Sequence, residues 1–215
     1  MRLLPLALVL ALIGFAAAGC GGGPRTTETR TVAAFERLDI SDSVDVEVTP
    51  GDSGEVLVTA GKEVIDHVHT ESRGGVLHID IVDRGIVIGP DPFDDVHVQV
   101  STAALEGVRI EGSGDVTLTG LDRDALEIEI EGAGGIEASG RVGNLTATVD
   151  GAGDADLSEL VARMARVSVD GAGDAQLNVT DTLDVSVHGA GDVSYRGDPA
   201  VTSSVEGAGD LRHED

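Results

Sequence analysis

The sequence predicts an all-β protein: a parallel β-helix, or solenoid, with about 18–20 residues per coil and a less regular β section before it. Three observations predict this. One glycine word returns at Gly112, Gly132, Gly151, Gly171, Gly189 and Gly207, in steps of 20, 19, 20, 18 and 18 residues. Each word follows a short stretch whose apolar residues alternate at period two, the spacing of a half-buried strand rather than of a helix. A second, shorter alternation follows most of the words, so each repeat reads as strand, tight corner, short strand, looser corner.

The strands before the words are VRI (108–110), LEIEI (126–130), LTATV (145–149), VSV (167–169), LDVSV (183–187) and VTSSV (201–205). Their inward sets end at Ile110, Ile130, Val149, Val169, Val187 and Val205. The next residue points outward and is mostly acidic: Glu111, Glu131, Asp150, Asp170, His188, Glu206. The corners are then built by Gly112 and Gly114, Gly132 and Gly134, Gly151 and Gly153, Gly171 and Gly173, Gly189 and Gly191, Gly207 and Gly209. Glycine is the residue that supplies a positive φ there. Beyond the corners lie Val116 and Leu118, Ile136 and Ala138, Ala155 and Leu157, Ala175 and Leu177, Val193 and Tyr195. One such unit cannot bury its own apolar face, but stacked units make continuous aliphatic ladders. The regular coils span about residues 105–212. An up-and-down sheet of hairpins is the competing arrangement; hairpins have no reason to repeat one corner at a constant long step. SELVARMAR (158–166) reads as a bulge in a looser corner.

Residues 34–107 are less regular. Alternating strands are predicted at 44–48, 55–59, 76–82 and 96–102, with PDPF breaking the chain at 90–93. ISDSVDV (40–46) resembles IEGSGDV (110–116), which sets Asp45 beside Asp115. This section is expected to cap one end of the column, as solenoids require to block edge-to-edge association.

The ends of the chain bound its location. Arg2 and the apolar run LLPLALVLALIGFAAAG read as a secretory signal over residues 1–19. Cys20 follows and is the only cysteine, so no intrachain disulfide forms. AAGC resembles the bacterial lipobox, in which the cysteine is lipidated and becomes the new N-terminus. The lipobox prefers leucine where Ala17 stands, so ordinary cleavage near Ala18 stays open beside lipidation of Cys20. Residues 20–31 read as a flexible tether and 32–215 as a single domain. Gly21 and Gly22 carry no acidic retention signal, pointing to an exported protein at the outer membrane or cell surface, lipid-anchored and outside the cytoplasm.

The formal charge is −25. Such a surface repels nucleic acid and suits cations or a basic partner. Beyond the signal only Phe35, Phe93 and Tyr195 are aromatic, so the core must be thin and aliphatic. Ring platforms for bases or sugars are missing.

Taken in order, the lipobox, FERLDISDSVDVEV, GGVLHIDI, VHVQVSTAALEGVRIEGSGDV and the GAGD returns resemble the GIN-domain family, described as the head of auto-transporter adhesins. The resemblance covers about residues 32–212. It implies a right-handed β-helix, an envelope location and an adhesive role for a non-enzymatic protein with an unidentified protein or surface ligand. It implies no catalytic residues.

The chemistry to weigh is that of the repeated aspartate. In register, Asp154, Asp174, Asp192 and Asp210 would stack as a calcium or general cation ladder, somewhat like the calcium-binding nonapeptide solenoids. The competing reading has each aspartate capping its own corner; Gly135 and His188 interrupt the acidic ladders. No cofactor is otherwise implied. The glycine word precedes a strand and lacks a following lysine, unlike a phosphate-binding loop. His67 and His69 on one strand face would need further ligands to hold zinc. No nucleophile motif is present, and no carboxylate pair stands out among so many acids. The sequence therefore supports a non-enzymatic interaction protein, with exposed coil ends that suit homo-oligomers. The alternative is a carbohydrate-active or carbohydrate-binding β-helix.

Overall fold

A computed structural model describes residues 25–52, 54–82, 93 and 95–214. The signal segment, Cys20 and most of PDPF lie outside the described residues. Among the described residues, apart from one 3₁₀ turn at Ile65–His67, the regular structure is strand. The elements are β1 (Arg25–Thr31), β2 (Arg37–Asp42), β3 (Val44–Thr49), β4 (Glu55–Gly61), β5 (Val68–Arg73), β6 (Val76–Ile81), β7 (Val96–Ser101) and β8 (Gly107–Gly112). The coils follow as β9 (Val116–Gly132), β10 (Gly135–Gly151), β11 (Asp154–Gly171), β12 (Ala175–Gly189), β13 (Val193–Arg196), β14 (Ala200–Gly207) and β15 (Leu211–His213).

From β8 onward every pairing is parallel, as in a solenoid. The predicted inward ladder forms in register: Ile110 pairs Ile130, then Val149, Val169, Val187 and Val205 follow rung by rung. It extends past the regular repeats, because Ile79 pairs Ile40 and Ile40 pairs Ile110. A second ladder runs along the strands after the corners, from Val46 through Val116, Ile136, Ala155, Ala175 and Val193 to Leu211. Alanine at 155 and 175 shows how thin this core is. Each fully buried valine or isoleucine still contributes about 1.5–3 kcal/mol over its exposed state.

The glycine corners also stack in register, Gly112 on Gly132, Gly151, Gly171, Gly189 and Gly207. Gly171 illustrates why the residue is fixed. Its φ is +138°, and a Cβ there would run into the carbonyl oxygen of Gly151. That same oxygen accepts a hydrogen bond from the amide of Ala172 at 2.8 Å, so the two coils cannot separate to make room. Irregular repeat lengths are absorbed at the looser corner. SELVARMAR is strand throughout β11, and its pairing to β12 slips between Leu157 and Val161 and again between Ala162 and Met164. The bulge expected there is thus present, within a continuous strand.

The N-terminal section joins the same sheet. ISDSVDV does lie on IEGSGDV: Ile40 pairs Ile110, and Val46 pairs Val116. Asp42 takes the place of the first corner glycine, at φ +68°, a left-handed conformation that aspartate tolerates better than most residues. Arg25–Thr31, expected to be tether, is strand β1, pairing antiparallel with β4 along its whole length. Its threonines, depleted of hydrophobic signal, are good strand formers. Antiparallel β5 and β6, β4 against β7, and buried Phe35, Phe93 and Leu105 complete this end. Thr102 alone among the described residues is a buried polar side chain, donating to the Phe35 carbonyl at 3.3 Å and accepting from the Ala104 amide at 3.2 Å.

Candidate functional site

The repeated aspartates line one edge of the column, just past each corner. Their carboxylates do not cap their own corner. All but the last, Asp210, accept a hydrogen bond from the next coil: the Asp115 amide donates to Asp45 Oδ1 (3.1 Å) and Gly135 to Asp115 (2.9 Å). Asp174 donates to Asp154 (3.0 Å), Asp192 to Asp174 (2.8 Å) and Asp210 to Asp192 (2.9 Å). The own-corner expectation fails because the corner amides of Ala172 and Ala190 are already spent on the preceding coil's glycine carbonyls. A coil spacing of about 4.8 Å brings the next aspartate's amide within reach instead. One oxygen of Asp45, Asp115, Asp154, Asp174 and Asp192 is thereby occupied. Gly135 breaks the run, since it offers the following coil no carboxylate.

Arg212 closes the far end of this ladder. Its guanidinium lies 2.9 Å from Asp210 and 3.2 Å from Asp192. The hydrogen bond to Asp210 and the charges of Asp192 and Asp210 raise its pKa above the ordinary arginine value. Among the described residues, no group of three or more His, Cys, Asp or Glu side chains is arranged to hold a metal ion.

The second acidic ladder stacks on the strand face before the corners, Glu111 beside Glu131, then Asp150, Asp170, His188 and Glu206. Arg109 bridges its upper rungs, 2.8 Å from Glu111 and 2.8 Å from Glu131, with Glu129 at 3.5 Å. Partial desolvation lowers the pKa of this arginine, but Glu131, Glu111 and Glu129 outweigh it and the net shift is upward. His188, which interrupts the acids in sequence, sits 3.8 Å from Asp170. Sequence reasoning missed Arg109, although the coil period places residues 129 and 131 beside 109 and 111.

His67 and His69 do not share a strand. His67 ends the 3₁₀ turn and packs edge-on against Phe93, whereas His69 on β5 meets Asp80 at 3.1 Å.

One open groove lies beside the looser corner. It has a volume of about 620 Å³ and is lined by Arg37, Glu106, Asp122, Asp124, Glu127 and Asn144 among others. Arg37 ties down Glu127 at 2.7 Å. Its carboxylates come from β9 and the turn before β8, and no aromatic ring lines it.

A column of aliphatic rungs, glycine corners and an aspartate edge, closed at one end by antiparallel strands, defines a β-solenoid head domain. The chain belongs to the family described as "Putative auto-transporter adhesin, head GIN domain", whose model matches residues 34–199. Among solved structures it is similar to an adhesin, so described with the same qualifier, from Bacteroides fragilis (TM-score 0.67, 21% identity, 88% of this chain and 97% of that one). It is also similar to a proposed lipid-binding protein from Parabacteroides distasonis (TM-score 0.55, 21% identity, 92% and 98%). An adhesin-like protein from the same species gives a TM-score of 0.51 at 21% identity, over 89% and 98%. At these identities the likeness is one of fold. No curated protein matches the chain.

Proposed function

We propose that this chain is an exported, lipid-anchored head domain that works by contact rather than catalysis, presenting a rigid acidic surface to a protein or cell-surface partner. The observation that carries this reading is the sequence AAGC immediately before a solenoid of the adhesin-head family. Only residues 21–24 separate Cys20 from β1, a reach of about 17 Å at full extension. With Cys20 acylated, the capped end faces the bilayer and the last coils point away from it. No helix among the described residues is long and apolar enough to cross a membrane. The flat faces, with acidic rungs at the strand spacing, suit a basic or cation-bridged partner.

Two measurements test it. Cys20→Ser in the full chain should move the protein out of the detergent-extracted membrane fraction; continued membrane association sinks the anchor. Cells expressing the anchored chain should bind a surface or partner more than cells expressing Cys20→Ser, which release it; equal binding counts against the head role.

A second reading, carbohydrate binding or processing, is favoured by the groove with Glu106, Asp122, Asp124 and Glu127 on its wall. Glycan binding or sugar release that Glu127→Gln abolishes would support it. Wild-type protein inert against a broad glycan panel removes it.

A further inference from the structure

The two ends of the column differ, and the open end has a specific complement. β14 is exposed along its whole length and pairs only with β12 among the described strands. Val201, Ser203 and Val205 continue the buried positions of Leu183, Val185 and Val187, yet Val201 and Val205 are 39% and 40% exposed. The strand AVTSSVEG has no lysine, no proline and one charge, Glu206, so it lacks the usual devices that blunt an edge.

The backbone sets which groups are on offer. Gly207 is in register with Gly189, and the Ala208 amide donates to the Gly189 carbonyl at 2.7 Å. In a parallel ladder the bonds from one strand come from residues flanking the register partner, and successive residues face opposite edges. Thr202, Ser204 and Glu206 therefore bond to β12, and Val201, Ser203 and Val205 turn their amides and carbonyls to the open edge.

We propose that this edge is completed by a second copy of the chain, β14 pairing antiparallel with β14 about a two-fold axis through Ser203. In that register Ser203 faces Ser203 of the second copy, and Val201 faces Val205 in both directions. The three residues whose backbone is unpaired bond to one another, and both exposed valines are covered by valine. Glu206 falls opposite Ala200, so no like charges meet. Centring one residue later would set Val201 against Gly207 and place backbone groups already spent on β12 at the seam. The result is isologous and closed, which an edge of this kind needs to avoid open-ended assembly. Neither lipidation of Cys20 nor the ligand of the head enters into it.

The test uses the full chain with Cys20→Ser, so that no native thiol competes. Sedimentation should show a dimer whose fraction rises with salt, as added ions screen the −25 charge of each copy. Ser203→Cys should cross-link rapidly on oxidation, because directly opposed residues of a hydrogen-bonded pair lie about 5.5 Å apart between Cα atoms, within disulfide range. Ser204→Cys should cross-link far more slowly. Val201→Lys should give a monomer with unchanged far-UV circular dichroism. A monomer at the highest soluble concentration in raised salt overturns the proposal, including the case where a foreign strand occupies the edge. So does equal cross-linking of Ser203→Cys and Ser204→Cys, or a folded Val201→Lys that stays dimeric.

Discussion

The capped and open ends of the column are built from the same inward ladder, yet they treat it oppositely. At the first end, Ile79 and Ile40 are fully buried, β5 pairs antiparallel alongside β6, and buried Phe35 and Phe93 belong to the same core. At the last, Val205 is the final rung of that ladder and lies exposed. The cap is also held laterally. Arg30 on β1 donates to the Ile65 carbonyl at 2.9 Å and to the carbonyl of Val68, fastening the first strand across the 3₁₀ turn. Among the described residues, nothing comparable crosses β14. The difference teaches that a repeat protein's rungs are equivalent only in sequence; a rung's energetic weight depends on whether another layer follows it.

Substitutions can break or sharpen that contrast. The largest effect is expected at the corners. Gly171→Ala should cost about 4 kcal/mol or more in denaturant unfolding, because both the φ and the adjacent coil exclude a Cβ. Gly74→Ala, in the β5–β6 hairpin at φ +61° with open space around it, should cost only about 1 kcal/mol. Equal losses at the two sites would show that backbone conformation alone, and not stacking, sets the cost. Next, Phe35→Ala should lose about 3–5 kcal/mol, against under about 1 kcal/mol for Val205→Ala in the monomer. A large loss at Val205 would mean that the last coil is already covered.

The smallest expected effect concerns the aspartate edge. Asp174→Ala should cost about 1 kcal/mol by leaving the Asp192 amide without its acceptor, whereas Asp174→Asn keeps an acceptor and should stay within about 0.5 kcal/mol. Millimolar calcium should leave the wild-type thermal midpoint where chelator leaves it. If Asp174→Asn is as damaging as Asp174→Ala and calcium raises the midpoint, the carboxylate charge serves a cation rather than the coil.

Much of this was legible because stacking turns a sequence period into a spatial one. The words at Gly112 through Gly207 announced the coils, and IEGSGDV announced its partner ISDSVDV across 70 residues. The Arg25–Thr31 strand was not legible, since its threonines and charges carry no apolar alternation and its strand character comes from pairing with β4. Nor was the groove, whose wall joins Arg37 to Glu127 across β2, β8 and β9.

By itself, the sequence determined the period, the inward rungs and the need for glycine at each corner, because these follow from local alternation and from one unit's inability to bury its own face. Only the tertiary structure decided where each aspartate spends its hydrogen bond. The amide that donates to it belongs to the next coil, and only the closeness of stacked strands, together with the prior use of the corner's own amides, makes that amide the available donor.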